Sequence, residues 1–302
     1  MLITHKRTLK HNMFGSSYHT RRVFSPEEFS FAIEILDTYP WISRPKHRRG
    51  FDEMMDRLII SPDERDLLRI LLGKFSYVDV DETETYIQSI IDHLDVWGCT
   101  DKNTVFVATR EKSGDNDGSY VFIKQLQDRL YGWNEKRFQN IYDYRHRFRT
   151  LKNYDKIILV DDFIGSGFTI DQRYKLLVSE LAKSKKHREV YVIALAGMSD
   201  SKTNYPFLSG DNVYLPLWLE KAFDRTTAAH ETQLMDEILN RLNNRNNDSK
   251  HCRLKDFGYG FGNTAGVYFN VHYRMSDNML AIFWWGLFKE NREEYHSMFR
   301  RS

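Results

Sequence analysis

The sequence predicts an α/β protein in which a parallel sheet is flanked by helices and preceded by an all-helical region. Residues 24–98 contain three amphipathic helix patterns, and two of them have start signals. From residue 103 onward, short apolar strands alternate with loops and helices, which is typical of a parallel sheet. We therefore expect a basic tail at 1–23, a helical region at 24–100 and an α/β domain at 101–302.

Composition narrows the class of protein. The 302 residues carry 44 Lys and Arg against 42 Asp and Glu, and this net charge of +2 gives no reason to expect a dominant nucleic-acid-binding face. Cys99 and Cys252 have neither disulfide nor zinc-ligand spacing, so we expect a reducing cytoplasm. The apolar stretch Met279–Phe288 is about half the length of a membrane-spanning helix. We interpret it as core and expect no membrane contact.

The basic tail leaves three interpretations open. Its first 22 residues hold five Lys or Arg and no acid. Such a composition fits a partly ordered tail, a transit peptide or an arm that contacts nucleic acid.

Start signals place the first two helices. Ser25 is a good N-cap before Pro26 and two glutamates, and this helix should run toward Thr38. Ser61 and Glu64 have the spacing of a capping box before a leucine stripe that Gly73 ends.

A third helix and a loop complete the helical region. Apolar spacing predicts the helix at about Glu82–Val96. The basic stretch 44–50, "RPKHRRG", lies between the first two helices, and we expect it to be a solvated loop rather than a phosphate site.

The predicted elements of the α/β region follow one another along the chain. A strand at 103–110, a polar loop and a helix at 120–133 form one unit, and a strand at 156–160 with a loop and a helix from Phe168 form the next. Three further elements are expected: a strand at 189–197, a strand at 212–217 and a helix at 230–245.

The stretch "IILVDDFIGSGFTI", residues 157–170, places two carboxylates where the second strand ends. Ligands of parallel sheets bind at this edge. Asp161 and Asp162 could accept hydrogen bonds from a vicinal diol or hold a divalent cation, directly or through water. Gly165 to Thr169 form a tight turn at a helix N-terminus, which suits a phosphate monoester. The alternative is an acidic helix cap, although a cap needs only one carboxylate.

This pattern resembles the ribose-5-phosphate signature of the type I phosphoribosyltransferase fold. The resemblance implies that Asp161 and Asp162 contact the ribose hydroxyls with Mg²⁺, at the catalytic centre. It implies that Gly165, Ser166, Gly167, Phe168 and Thr169 wrap the 5-phosphate. Two positions depart from the pattern: Ser166 replaces the commoner threonine, and bulky Phe168 replaces a small or polar residue.

The same resemblance assigns pyrophosphate binding to the loop after the preceding strand. The matching candidates are Thr109, Arg110, Lys112 and Ser113, with the arginine and lysine as cations. Basic residues in a polar loop are also often only solvated.

The C-terminal third resembles the closing segment of phosphoribosyltransferase-like effectors of bacterial conflict and anti-phage defence systems. Ala281 stands where that pattern has proline. The matching residues are Gly260, Gly262, Asn263, Asn278, Leu280, Ile282 and Trp284. Taken alone, the segment also fits a core strand with a glycine turn.

Together these resemblances imply an enzyme that acts at the anomeric carbon of a phosphorylated ribose or nucleotide, as an effector in defence. A defence-system partner protein or a nucleic acid is an expected partner. The alternatives are a nucleotide sensor or a protein-interaction module that keeps the fold without turnover.

Overall fold

The structure is a computed structural model, and it describes most of the chain. The described residues are 24–109, 117–140, 154–182, 188–242, 253–286 and 296–299. Our expectations for the tail at 1–23 and for Cys252 lie outside them.

Helices form nearly all of the segment before the main sheet, as the sequence predicts. Capping boxes start the first and third helices at Ser25 with Glu28 and at Ser61 with Glu64. The helices of this region are α1 (Pro26–Thr38), α2 (Pro45–Arg57), α3 (Pro62–Gly73) and α4 (Val80–Val96).

The basic stretch 44–50 is a helix start, so our expectation of a solvated loop was wrong. Pro45 occupies the first position of α2, where its missing N–H costs nothing. His47 and Gly50 are buried, and the His47 Nδ1 lies 3.1 Å from the carbonyl oxygen of Met298. The cations therefore lie on the exposed face of an amphipathic helix. In the sequence, the run of charges hides this helical pattern.

The main sheet has six described strands, and every pairing in it is parallel. The order is β3, β2, β4, β5, and both β6 and β7 pair with β5. The strand expected at 212–217 is thus two short strands. The bounds are β2 (Thr104–Ala108), β3 (Phe138–Asn140), β4 (Lys156–Ile164), β5 (Glu189–Met198), β6 (Val213–Tyr214) and β7 (Leu217–Leu219).

Two short strands form a separate parallel pair that the sequence did not reveal. β1 (Ser76–Val78) lies within the helical region and pairs with β8 (Tyr268–Asn270) near the other end of the chain. The helices of the second half are α5 (Gly118–Arg129), α6 (Phe168–Ala182), α7 (Asp200–Asn204), α8 (Ala229–Arg241) and α9 (Leu254–Phe257).

Helices cover both faces of the sheet. Ile157 and Leu159 of β4 face α6, whereas Ile158 and Val160 face α4 and α5, as the period of two requires. The fold is therefore the α/β arrangement that the sequence predicts.

A third apolar cluster joins α1, α2 and α3 to the C-terminal third of the chain. It includes Met279 and Trp285, so the described part of the apolar stretch is core, as expected. The boundary near residue 100 stays a prediction, and the chain segments on its two sides share this cluster. Among the described residues, no helix combines the length and the apolar character that a membrane span requires.

Candidate functional site

The two carboxylates lie in the last part of β4, which extends past the predicted end to Ile164. Asp161 is in register with Ala194 of β5. Asp162 points toward the α5 side, where a Cβ at Gly118 would lie 2.2 Å from its Cγ. Only glycine fits at this approach, so the Asp162 carboxylate rests against the N-terminus of α5, where the helix dipole favours negative charge.

A third carboxylate raises the cost of ionising this pair. Burial and the neighbouring Asp162 and Asp117 raise the pKa of Asp161 well above its usual range, while a hydrogen bond from Thr109 acts in the opposite direction. Burial and then Asp117 raise the pKa of Asp162 to about 7. The Asp117 side chain also accepts a hydrogen bond from the Ser119 N–H at 3.1 Å, as the N-cap of α5. A bound cation or hydroxyl donor would offset this repulsion.

The turn between β4 and α6 is held in an unusual backbone conformation. Gly167 has φ +84°, which side chains disfavour, and its carbonyl oxygen accepts the Asp171 N–H at 3.0 Å. The Ser166 hydroxyl accepts the Phe168 N–H at 3.4 Å. Phe168 begins α6, so the positive end of that helix faces the turn, as the sequence predicts.

Asn278 braces this turn from the C-terminal third of the chain. Its Oδ1 accepts the Ser166 N–H at 3.1 Å, and a Cβ at Gly165 would lie 2.0 Å from its Cγ. The Asn278 Nδ2 donates to the Ser276 hydroxyl at 3.0 Å. The closing segment thus touches the turn between β4 and α6, a contact between distant residues that local patterns do not encode.

One cavity of about 500 Å³ brings most of the predicted residues together. Its polar lining combines the strand end, the turn and the brace. The residues on its wall include Thr109, Asp117, Asp161, Asp162, Gly165, Ser166, Gly167, Phe168, Thr169, Arg173, Phe257, Phe261 and Asn278. Arg110, Lys112 and Ser113 of the predicted pyrophosphate loop lie outside the described residues.

Arg173 is a cation of this cavity that the sequence analysis missed. It is buried on α6, and its Nε donates to the carbonyl oxygen of Thr109 at 3.4 Å. Its position one turn after Thr169 could have marked it, because residues four apart share a helix face. Asp117 was also missed, since it reads as part of a polar loop.

The closing segment divides into a loop and a buried strip. Gly260 and Gly262 have positive φ, and so do Asn263 and Ala265, where side chains strain the backbone. A Cβ at Gly262 would lie 3.2 Å from the Ser166 Cβ, so this loop also borders the turn. Leu280, Ala281, Ile282 and Trp284 are buried in the core.

A comparison with protein-family models finds a match. The family model described as PRTase-CE matches residues 25–301. The chain belongs to the PRTase-CE family. Its match covers the helical segment as well as the parallel sheet, so the family pattern includes both. A search of curated proteins finds no match.

Membership of the PRTase-CE family makes the chain phosphoribosyltransferase-like, as the sequence resemblance indicated. Whether the site can hold Mg²⁺ depends on which side chains offer ligand atoms. Within the part of the chain that the structure describes, no group of three or more His, Cys, Asp or Glu side chains could hold a metal ion. Asp161 and Asp162 offer carboxylate oxygens of the kind that Mg²⁺ prefers, and they would need ligand oxygens or water to complete its shell.

Proposed function

We propose that this chain is an enzyme that binds a 5-phosphoribosyl group and acts at its anomeric carbon. The observation that carries the proposal is the shared cavity, in which the Asp161 and Asp162 carboxylates and the braced turn from Gly165 to Thr169 face one space. A ribosyl phosphate has a diol at one end and a phosphate at the other, which matches this order of acceptors and donors.

The chain's residues would act by positioning and electrostatics. The carboxylates accept hydrogen bonds from the ribose 2- and 3-hydroxyls and oppose the positive charge that develops at the ribosyl centre. The turn and the α6 N-terminus fix the 5-phosphate, which holds the anomeric carbon in place. Arg173 supplies positive charge beside Thr109, where the family resemblance places pyrophosphate.

Mg²⁺ is part of this proposal. Asp161 and Asp162 would hold it with water and ligand oxygens, and it would offset the charge of a diphosphate. The role as an effector of a bacterial defence system is likewise proposed, from the resemblance of the closing segment. A nucleotide sensor of the same fold is the second candidate, because an intact binding site also serves a sensor.

Turnover separates the two candidates. The full chain would be incubated with a pool of nucleotides, PRPP and Mg²⁺, and the mixture would be analysed by mass spectrometry. We expect a nucleotide or PRPP to change mass, and the change to disappear with Asp161→Asn and Asp162→Asn together. Ligand binding without any mass change would favour the sensor.

A further inference from the structure

Two exposed phenylalanines stand at the phosphate end of the cavity. Phe168 is 49% exposed and Phe261 is 43% exposed, and both line the cavity wall. Among the described residues, no aromatic ring stacks on Phe168. Large apolar rings are usually buried, so two of them on a mainly polar cavity need an explanation.

Their position relative to the turn is fixed by backbone contacts. Phe168 directly follows Gly167, and its N–H bonds to Ser166 at 3.4 Å. Phe261 is anchored by its own N–H, which donates to the Asp277 carbonyl oxygen at 2.7 Å. A Cβ at its neighbour Gly262 would lie 3.2 Å from the Ser166 Cβ. Both residues also line the cavity together with the turn that is assigned to the 5-phosphate.

A third ring backs one of them. Phe257 is buried, with its ring centroid 6.0 Å from that of Phe261 and 6.3 Å from that of Trp284. Phe261 thus continues an aromatic row that runs from the core into the cavity. Such a row supports a flat group that stacks on the outermost ring.

We propose that the ligand continues beyond its 5-phosphate into a second aromatic group, as in a nucleotide joined through a 5′,5′-diphosphate to the bound ribose. This inference rests on the proposed function. A base attached at the anomeric carbon would lie at the other end of the ribosyl phosphate, away from the turn. A second nucleoside attached through the phosphate would meet Phe168 and Phe261, which offer the stacking surface that bases use. Phe168, the residue that departs from the phosphoribosyltransferase pattern, gains a role in this arrangement.

The test compares ribose 5-phosphate with ADP-ribose, which is the same ribosyl phosphate extended by AMP. Titration calorimetry with Mg²⁺ would measure both ligands on the parent chain and on Phe261→Ala, Phe261→Tyr and Phe168→Ala. Phe29→Ala is the matched control, because Phe29 is 61% exposed on α1 and does not line the cavity. Melting curves check that each variant folds.

We expect ADP-ribose to bind at least about tenfold more tightly than ribose 5-phosphate. Phe261→Ala should remove most of this difference and leave ribose 5-phosphate binding unchanged, and Phe168→Ala should remove part of the difference. Phe261→Tyr should keep the difference, and so should Phe29→Ala.

The failures are distinguishable. If ribose 5-phosphate binds and ADP-ribose binds no better, the extension is wrong and the proposed function stands. A preference for ADP-ribose that survives both alanine variants at Phe168 and Phe261 also overturns the extension. If neither ligand binds, the proposed function fails and the extension fails with it.

Discussion

Replacing Asp162 by asparagine should stabilise the ligand-free protein at neutral pH. The pKa of Asp162 is raised from an ordinary value of 3.8 to about 7, because burial and Asp117 penalise its charge. A raised pKa means that the folded state binds the proton more tightly than the unfolded state does. The associated stability is fully present below about pH 4 and is lost as the pH rises toward 7. The full difference between these two pKa values corresponds to at most about 4 kcal/mol of stability.

The assay is denaturant unfolding in metal-free buffer at pH 5 and pH 8. We expect Asp162→Asn to raise the free energy of unfolding by about 1–4 kcal/mol at pH 8 and by less at pH 5, since the Asn side chain keeps the shape without the charge. Asp128→Asn, on the exposed side of α5, is the matched control and should have little effect at either pH. An Asp162→Asn variant that is less stable than the parent at pH 8 would refute the reasoning.

Substitutions at three further positions test the packing of α2, the backbone of the turn and its contact with Asn278. Gly50→Ala should lower the free energy of unfolding by about 1–3 kcal/mol, because its Cβ would lie 2.4 Å from the backbone of the C-terminal segment. Gly73→Ala is the control: its Cβ would lie 3.6 Å from the nearest atom, and denaturant unfolding should show no loss of stability. Equal effects of the two substitutions would contradict this. Gly167→Ala should lower the melting temperature, since φ +84° disfavours a Cβ, and an unchanged melting curve would argue against the turn geometry. Asn278→Ala removes the acceptor of the Ser166 N–H and should weaken ribose 5-phosphate binding in calorimetry about fivefold or more. Asn278→Asp keeps an acceptor oxygen and some of that brace. Unchanged binding in Asn278→Ala would show that the brace is dispensable.

Local signals were sufficient for the elements whose cause is local. Ser25 and Ser61 form capping boxes with residues three positions away, and both helices start where the sequence predicts. The carboxylates and the glycine turn also belong to one contiguous stretch, so their common position at the end of β4 could be predicted.

Features that depend on distant contacts could not be predicted. The stretch at 44–50 looks like a loop until Met298 packs on Gly50 and buries that face of α2. β1 is too short to be recognised without its partner β8. Asn278 reaches the turn only through the fold, so its contact with Ser166 has no local signal.

The most direct test of the central claim is ligand-induced stabilisation of the variant in which both Asp161 and Asp162 are replaced by asparagine. For the parent, ribose 5-phosphate with Mg²⁺ at about one hundred times its dissociation constant should add roughly 2.7 kcal/mol to the free energy of unfolding. We predict that, without ligand, the double variant folds at least as well as the parent. At the same ligand concentration as the parent, it loses most of this increment. A double variant that folds and is stabilised as much as the parent would contradict the assignment of these carboxylates to the ribose.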